Sequence, residues 1–331
     1  MSRLASSDSA RIDVSAFGLS DIGRVRKNNE DTFVIFNLST GEDCRAASLC
    51  SHTLGALGLL LLVADGMGGE VSGEVASSMC ATTVPQRLRE NLKSLETVDQ
   101  AGFALKLREA IEHANQLIFQ KARSDRNFRG MGTTATAAAV IGSSLFLAQV
   151  GDSRAYLSRN GSMVQLTRDQ TFLNYLADMG AQLPEDLEND SRRSILTQAV
   201  GTSETLGVKM TYCQLRDGDC ILLCSDGLYN MVKPPSILGV VNGRDSLADK
   251  CRTLVQMAKD QGGTDNITVI MAEVAGPGLL PADRAAGRRF WPVEDQRRPR
   301  LMPRLALQLT VSRTPTYVRS AKAGPVNFGG L

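Results

Sequence analysis

Five acidic positions stand where the chain changes character. The apolar run Leu59-Leu60-Leu61-Leu62-Val63-Ala64 passes directly into Asp65-Gly66-Met67-Gly68-Gly69. Val150-Gly151-Asp152 and Leu223-Cys224-Ser225-Asp226-Gly227 repeat that pattern. Gly262-Gly263-Thr264-Asp265 and Glu30-Asp31 instead stand immediately before apolar runs. Short runs of this kind read as strands buried on both faces, which puts each carboxylate at a strand end. Glycines beside it permit positive φ and close approach of backbone to a ligand. Asp65 is therefore expected on an open loop at the tip of a rigid strand, with room for an ion and a substrate. Carboxylates gathered at one sheet edge repel one another and need protons or cations. Oxygen donors without His or Cys select Mg2+ or Mn2+. Two such ions together would activate a water and hold the oxygens of a phosphoryl group. Arg26 suits that group, because a guanidinium binds phosphate oxygens bidentately.

Each residue also has a plain reading. A lone Asp before Gly is a turn residue. Arg26, close to Arg24 and Lys27, can be a surface ion pair. Asp152 can serve to orient Arg154 by a local hydrogen bond, and Glu30 can support a ligand rather than touch an ion.

The elements that must position these groups follow from periodicity. Strands are expected at 12–19, 32–36, 59–64, 133–141, 145–150, 155–158, 163–166, 208–215, 220–224 and 267–274, with Asn160-Gly161 as a hairpin turn. Helices are expected at about 72–89, capped by Ser72, and at 101–123, 171–179, 235–241 and 247–260. Residues 38–57 look like a variable hairpin connection, and 168–194 like an exposed insertion. Strands followed by pairs of helices argue α+β layering rather than strict βαβ alternation.

The 331 residues, 43% of them hydrophobic, can bury one large core or two small ones. Net charge is +2, but from Pro277 onward ten Lys/Arg face three Asp/Glu, and seven of the eleven prolines lie there. That shift marks the clearest boundary: residues 1–11 as a disordered N-terminus, 12–275 as the folded domain, and 276–331 as a flexible basic extension. The balance gives no argument for a nucleic-acid partner. Seven cysteines make an odd count without a CxxC pair, so buried free thiols in a reducing compartment are expected, and a zinc site is not. No apolar leader begins the chain and no run reaches membrane-spanning length. A cytoplasmic monomer without a membrane span is expected.

Taken together, these stretches resemble the metal-dependent type 2C Ser/Thr protein phosphatases, the PPM family, in their bacterial branch. The resemblance is carried by Asp21-Ile22-Gly23 through Arg26 to Asn29-Glu30-Asp31, by Val63-Ala64-Asp65-Gly66-Met67-Gly68-Gly69, and by Gly73-Glu74. It continues through Gly130-Met131-Gly132-Thr133-Thr134, Val150-Gly151-Asp152-Ser153-Arg154-Ala155-Tyr156, Leu166-Thr167-Arg168-Asp169 and 196–201. It ends with Leu223-Cys224-Ser225-Asp226-Gly227-Leu228 and Thr264-Asp265-Asn266-Ile267-Thr268. These occur in family order over about residues 12–275.

The resemblance implies a four-layer α-β-β-α sandwich of two antiparallel sheets flanked by helix pairs. It implies that Asp65 bridges two Mn2+ or Mg2+ ions, that the Gly66 carbonyl joins the first, and that Asp226 and Asp265 complete the second. Asp31 and Glu30 would act directly or through water, and Asp152 would hold a third, more weakly bound ion. Arg26 would bind the substrate phosphate, and a metal-bridging hydroxide would attack phosphorus in line. Residues 168–194 would form a flap beside the site. The implied partners are phosphoserine and phosphothreonine proteins and a cognate Ser/Thr kinase whose action is reversed. A catalytically weak regulatory relative and a phosphatase of small phosphomonoesters are the alternatives. Two departures stand out. Met67 occupies the place of a His found in eukaryotic relatives, which leaves the leaving-group acid unassigned. Asp169-Gln170-Thr171 stands where the flap usually reads Asp-His-Ser.

Overall fold

With elements numbered in chain order, strand β4 (Leu59–Met67) explains the layering. All nine of its residues are buried. Leu60, Leu62 and Ala64 enter one cluster with Ala76, Cys80, Leu88, Leu107 and Ile111. Leu59, Leu61 and Val63 enter another with Val14, Leu157, Ile221 and Ile270. Side chains alternate faces along a strand, so a continuous apolar run requires a layer on both sides.

The computed structural model describes residues 11–45, 49–69, 72–94, 99–181, 191–282 and 291–292. One antiparallel sheet runs β13 (Trp291–Pro292), β10 (Lys209–Gln214), β7 (Ser144–Val150), β6 (Ala135–Ile141), β4 and β2 (Asp31–Asn37), with β5 (Gly132–Thr133) pairing on β4. The other runs β3 (Cys50–Thr53), β1 (Asp13–Asp21), β12 (Ile267–Ala275), β11 (Asp219–Cys224), β8 (Arg154–Arg159) and β9 (Ser162–Gln165). Helices α1 (Ser72–Lys93) and α2 (Gln100–Ser124) cover the first sheet. Helices α5 (Pro234–Val241) and α6 (Leu247–Asp260) cover the second, through Ile237 and Leu254 against Leu222, Val269 and Met271. The order of layers is α-β-β-α. Two short helices, α3 (Phe172–Asp178) and α4 (Asp226–Tyr229), lie outside those pairs.

Several expectations change. The strand carrying Asp65 does not stop there, because Gly66 and Met67 pair with Thr133 and Gly132. Asp65 is thus part of a ladder, and the positive-φ glycines begin only at Gly68 and Gly69. Ser72 opens α1, but its hydroxyl donates to the Asn127 carbonyl at 3.1 Å rather than capping the helix. The connection at 38–57 is partly ordered into the sheets: Asp43 bridges Phe36, and β3 pairs with β1. The insertion at 168–194 begins docked, with Gln170, Thr171 and Leu173 buried, while residues 182–190 lie outside the described residues.

The boundary at 275 falls too early. Gly278 N donates to the Arg11 carbonyl at 2.9 Å, Asp217 N donates to the Leu280 carbonyl at 3.0 Å, and Leu279 is 6% exposed within the inter-sheet core. β13 adds a further strand beside Thr211 and Tyr212. Residues 1–10 and the rest of the 276–331 extension lie outside the described residues. Among those described, no helix is long and apolar enough to cross a membrane.

Candidate active site

The ladder register places Asp31 directly opposite Asp65. Both share the strand parity of Phe33 and Ile35 on β2 and of Leu61 and Val63 on β4, which face the inter-sheet core. Two carboxylates opposed across a ladder are destabilising unless compensated. One compensation comes from the other sheet: Ser225 Oγ donates to Asp31 Oδ2 at 2.7 Å. Ser225 is held there by Thr268, whose N–H donates to Ser225 Oγ at 3.0 Å and whose carbonyl accepts from Ser225 N at 3.1 Å. The end of β11 is thereby fastened to the start of β2 across the sandwich.

The backbone of Asp65 is fully engaged. Its N–H donates to Thr134 Oγ1 at 3.0 Å, and its carbonyl accepts from Thr134 N at 2.8 Å and Thr133 Oγ1 at 3.0 Å. The strand therefore sets the direction of the carboxylate. Gly66 is required by proximity rather than by φ. A Cβ there would lie 2.2 Å from the Gly73 carbonyl oxygen and 2.7 Å from that of Glu30. A Cβ on Gly73 would meet the Glu30 carboxyl carbon at 2.8 Å. The first turn of α1 thus packs backbone against backbone on the strand that carries Asp65.

Asp226 opens α4, and with Asp65, Asp152, Met67, Thr134 and Leu196 it lines one small cleft. Behind Asp152, the Tyr229 hydroxyl donates to its backbone carbonyl at 3.1 Å. Burial, reinforced by the charges of Asp152 and Asp226, holds the Tyr229 phenol well above its usual pKa, so it stays a neutral donor. Arg154 is oriented by Asp169, with Nε to Oδ1 at 3.0 Å and Nη2 to Oδ2 at 2.7 Å, and its guanidinium lies 3.6 Å above the Tyr229 ring. The fork that orients Arg154 comes from Asp169.

Asp265 joins from the loop before β12. Its Oδ1 accepts from Asn266 N at 2.8 Å, and the Asn266 side chain accepts from Glu30 N at 2.8 Å and donates to the carbonyls of Ile22 and Asn28. Arg26 reaches the same corner and closes on Asp265 in a fork, with Nη2 to Oδ2 and Nε to Oδ1 both at 3.1 Å. The ion pair expected as its plain alternative is therefore present, but with a site carboxylate as partner. Met67, 4% exposed, packs with Leu196 and Ala199. Gln170 is a tie between the flap and the Gly151 turn, accepting from Gly151 N at 2.9 Å.

Glu30, Asp31, Asp65, Gly66, Asp152, Asp226, Asp265 and Arg26 all come to one end of the sandwich. The sequence assigns no role to Ser225, Thr134 and Asn266, although all three lie within the matching stretches, nor to Tyr229, three residues beyond Asp226; nothing in composition marks any of them as a support. The donor set suits hard divalent cations. Glu30 Oε1, Asp31 Oδ1 and Asp226 Oδ1 are carboxylate oxygens buried from solvent. Burying such charge is costly unless it is paired or coordinated, and oxygen-only donors favour Mg2+ or Mn2+.

An α-β-β-α sandwich with carboxylates gathered at one end of its sheets matches a known family. A profile described as protein phosphatase 2C matches residues 37–271. The serine/threonine phosphatase stp of Listeria welshimeri is 33% identical over 253 residues, covering 76% of this chain and 93% of that protein. The protein phosphatase PhpP of Streptococcus pneumoniae is 34% identical over 259 residues, 77% of this chain and 96% of its own length. Among solved structures, the catalytic domain of the serine/threonine protein phosphatase PstP in complex with two manganese ions aligns with a TM-score of 0.63 at 32% identity. That alignment covers 80% of this chain and 99% of the other. The chain belongs to the protein phosphatase 2C family.

Proposed function

We infer that this chain is a metal-dependent protein serine/threonine phosphatase. The observation that carries the reading is the convergence of Asp31 and Asp65 across one ladder with Asp226 and Asp152 in the same cleft. Asp65 stands between the two sheets' contributions and would be shared by two ions. The Gly66 carbonyl, with Asp31 and Glu30, would serve one, and Asp226 and Asp265 the other. Asp152, across the cleft, would take a third. When bound, Mn2+ or Mg2+ supplies an activated water and charge to hold phosphoryl oxygens.

The chain's own residues do the positioning. Ser225 orients the Asp31 carboxylate by donating to its Oδ2. Arg26 turns from Asp265 to a phosphate oxygen pair, which its fork fits equally well. Met67 and Leu196 narrow the cleft and limit bulk water. Met67 has no proton to give, so the leaving oxygen takes its proton from another donor.

The substrates are phosphoserine and phosphothreonine in proteins, made by a cognate kinase, and the chain acts as a cytoplasmic monomer. Support for the substrate class comes from the names of the relatives. The test is hydrolysis of a phosphothreonine peptide with Mn2+, then with a chelator. Turnover that appears with metal and stops with chelator supports the reading, and a folded, metal-loaded chain without turnover contradicts it.

A further inference from the structure

A second set of ligating side chains lies away from the carboxylates. Cys44, Cys50 and His52 bring their sulfur and nitrogen atoms within 4.8 Å of one another. The approach of Cys44 Sγ to His52 Nε2 is 3.3 Å. Thiolate and imidazole ligands at their usual distances around a tetrahedral zinc ion stand roughly 3.5 Å apart, so little rearrangement is needed. The backbone prepares this convergence. Cys50 and His52 are two apart on β3 and point to one side, in register with Ala16 and Val14 of β1. Cys44 is held on the other limb, where its N–H donates to the Ile35 carbonyl at 2.8 Å and neighbouring Asp43 bridges Phe36.

The place in the fold is specific. β2 is the edge of one sheet, and β3 is the edge of the other. The three residues therefore sit where the two edges meet, over the inter-sheet core that Cys50 enters and Cys44 packs against. Ile35 is four residues along β2 from Asp31, about 13 Å at the rise of a strand. The cluster is thus separate from the carboxylates and differs from them in chemistry. Soft thiolate and imidazole donors select Zn2+ over Mg2+ or Mn2+.

We propose that Cys44, Cys50 and His52 bind one Zn2+ ion that clips the edges of the two sheets together. Binding forms two metal–thiolate bonds and one metal–imidazole bond and releases the two thiol protons to solvent. Cys44 and His52 are half-buried, so the fourth coordination position opens toward water. This inference stands independently of the phosphatase reading, because its ligands are not the carboxylates and the charge-transfer band reads thiolate ligation alone.

The test is a Co2+ titration of the reduced full-length chain, followed by displacement with Zn2+. Thiolate-bound Co2+ absorbs by sulfur-to-metal charge transfer, which oxygen ligands do not give, so the carboxylates are silent in this readout. One thiolate-bound ion per chain is expected, and Zn2+ should raise the unfolding temperature. Cys44→Ser and His52→Ala should each weaken binding about tenfold or more, while Cys213→Ser leaves it intact and Mn2+-dependent phosphatase turnover persists in all three. A folded chain without the charge-transfer band overturns the proposal. So does a band that survives both ligand variants, or a Cys44–Cys50 disulfide in protein alkylated directly on release from cells.

Discussion

The carboxylate end of the sandwich and the Cys/His edge are built in opposite ways. At the carboxylate end, Asp31, Asp65, Asp152, Asp226 and Asp265 are far apart in the chain and meet only because both sheets hold their registers. At the edge, Cys44, Cys50 and His52 are close in sequence and converge beside the edge strands β2 and β3. The first arrangement is rigid and over-determined, with Thr133, Thr134, Ser225 and Asn266 all committed to it. The second rests on one short strand and one bridge. Damage at the first should therefore stop chemistry without unfolding the chain, whereas damage at the second should loosen an edge and spare chemistry.

The largest effect that sharpens this contrast is expected from Asp65→Asn. Turnover should fall on the order of 10³-fold or more, with circular dichroism and unfolding temperature nearly unchanged. Gly66→Ala breaks the separation, because its Cβ would fall 2.2 Å from backbone that cannot yield cheaply. It should lose about 1–3 kcal/mol or more of stability together with activity, measured by urea unfolding and peptide hydrolysis.

Deleting everything after Ala275 tests the distal face. It removes Leu279 from the core, with its neighbouring hydrogen bonds, and should cost about 2–3 kcal/mol. Full stability in the truncated chain would mean that 276–282 contribute nothing.

The smallest effect concerns pH. Burial pushes the thiols of Cys80, Cys213, Cys224 and Cys251 up from 9.0 to about 12. The unfolded chain ionises these groups first, so their contribution to stability is complete below pH 9 and is lost between pH 9 and about 12. Denaturant midpoints should fall across that window, and alkylation of these thiols at neutral pH should await unfolding.

Much of this was legible in the residues themselves. Continuous apolar runs such as 59–64 could only be strands covered on both faces, and the aspartates at their ends had to gather wherever the sheets ended. What was not legible depends on long-range contact. Gly66 looked like loop, yet it pairs in β4 because Thr133 arrives beside it from far along the chain. Gln170 and Thr171 looked exposed because they are polar, yet their hydrogen-bonding groups are used inward. Leu279 looked like part of a proline-rich extension, and only the fold shows the gap that it fills. The Cys/His trio is not legible in the sequence because its spacing lacks a CxxC pair; a strand's two-residue repeat brings Cys50 and His52 to one side instead.

The most direct test of the central claim is Mn2+ binding to the full chain and to Asp226→Asn, followed by calorimetry and scored beside hydrolysis of a phosphothreonine peptide. The account predicts at least two Mn2+ ions bound by the native sequence, with one site weakened and turnover lost in the folded variant. Unchanged binding and turnover in Asp226→Asn would contradict it.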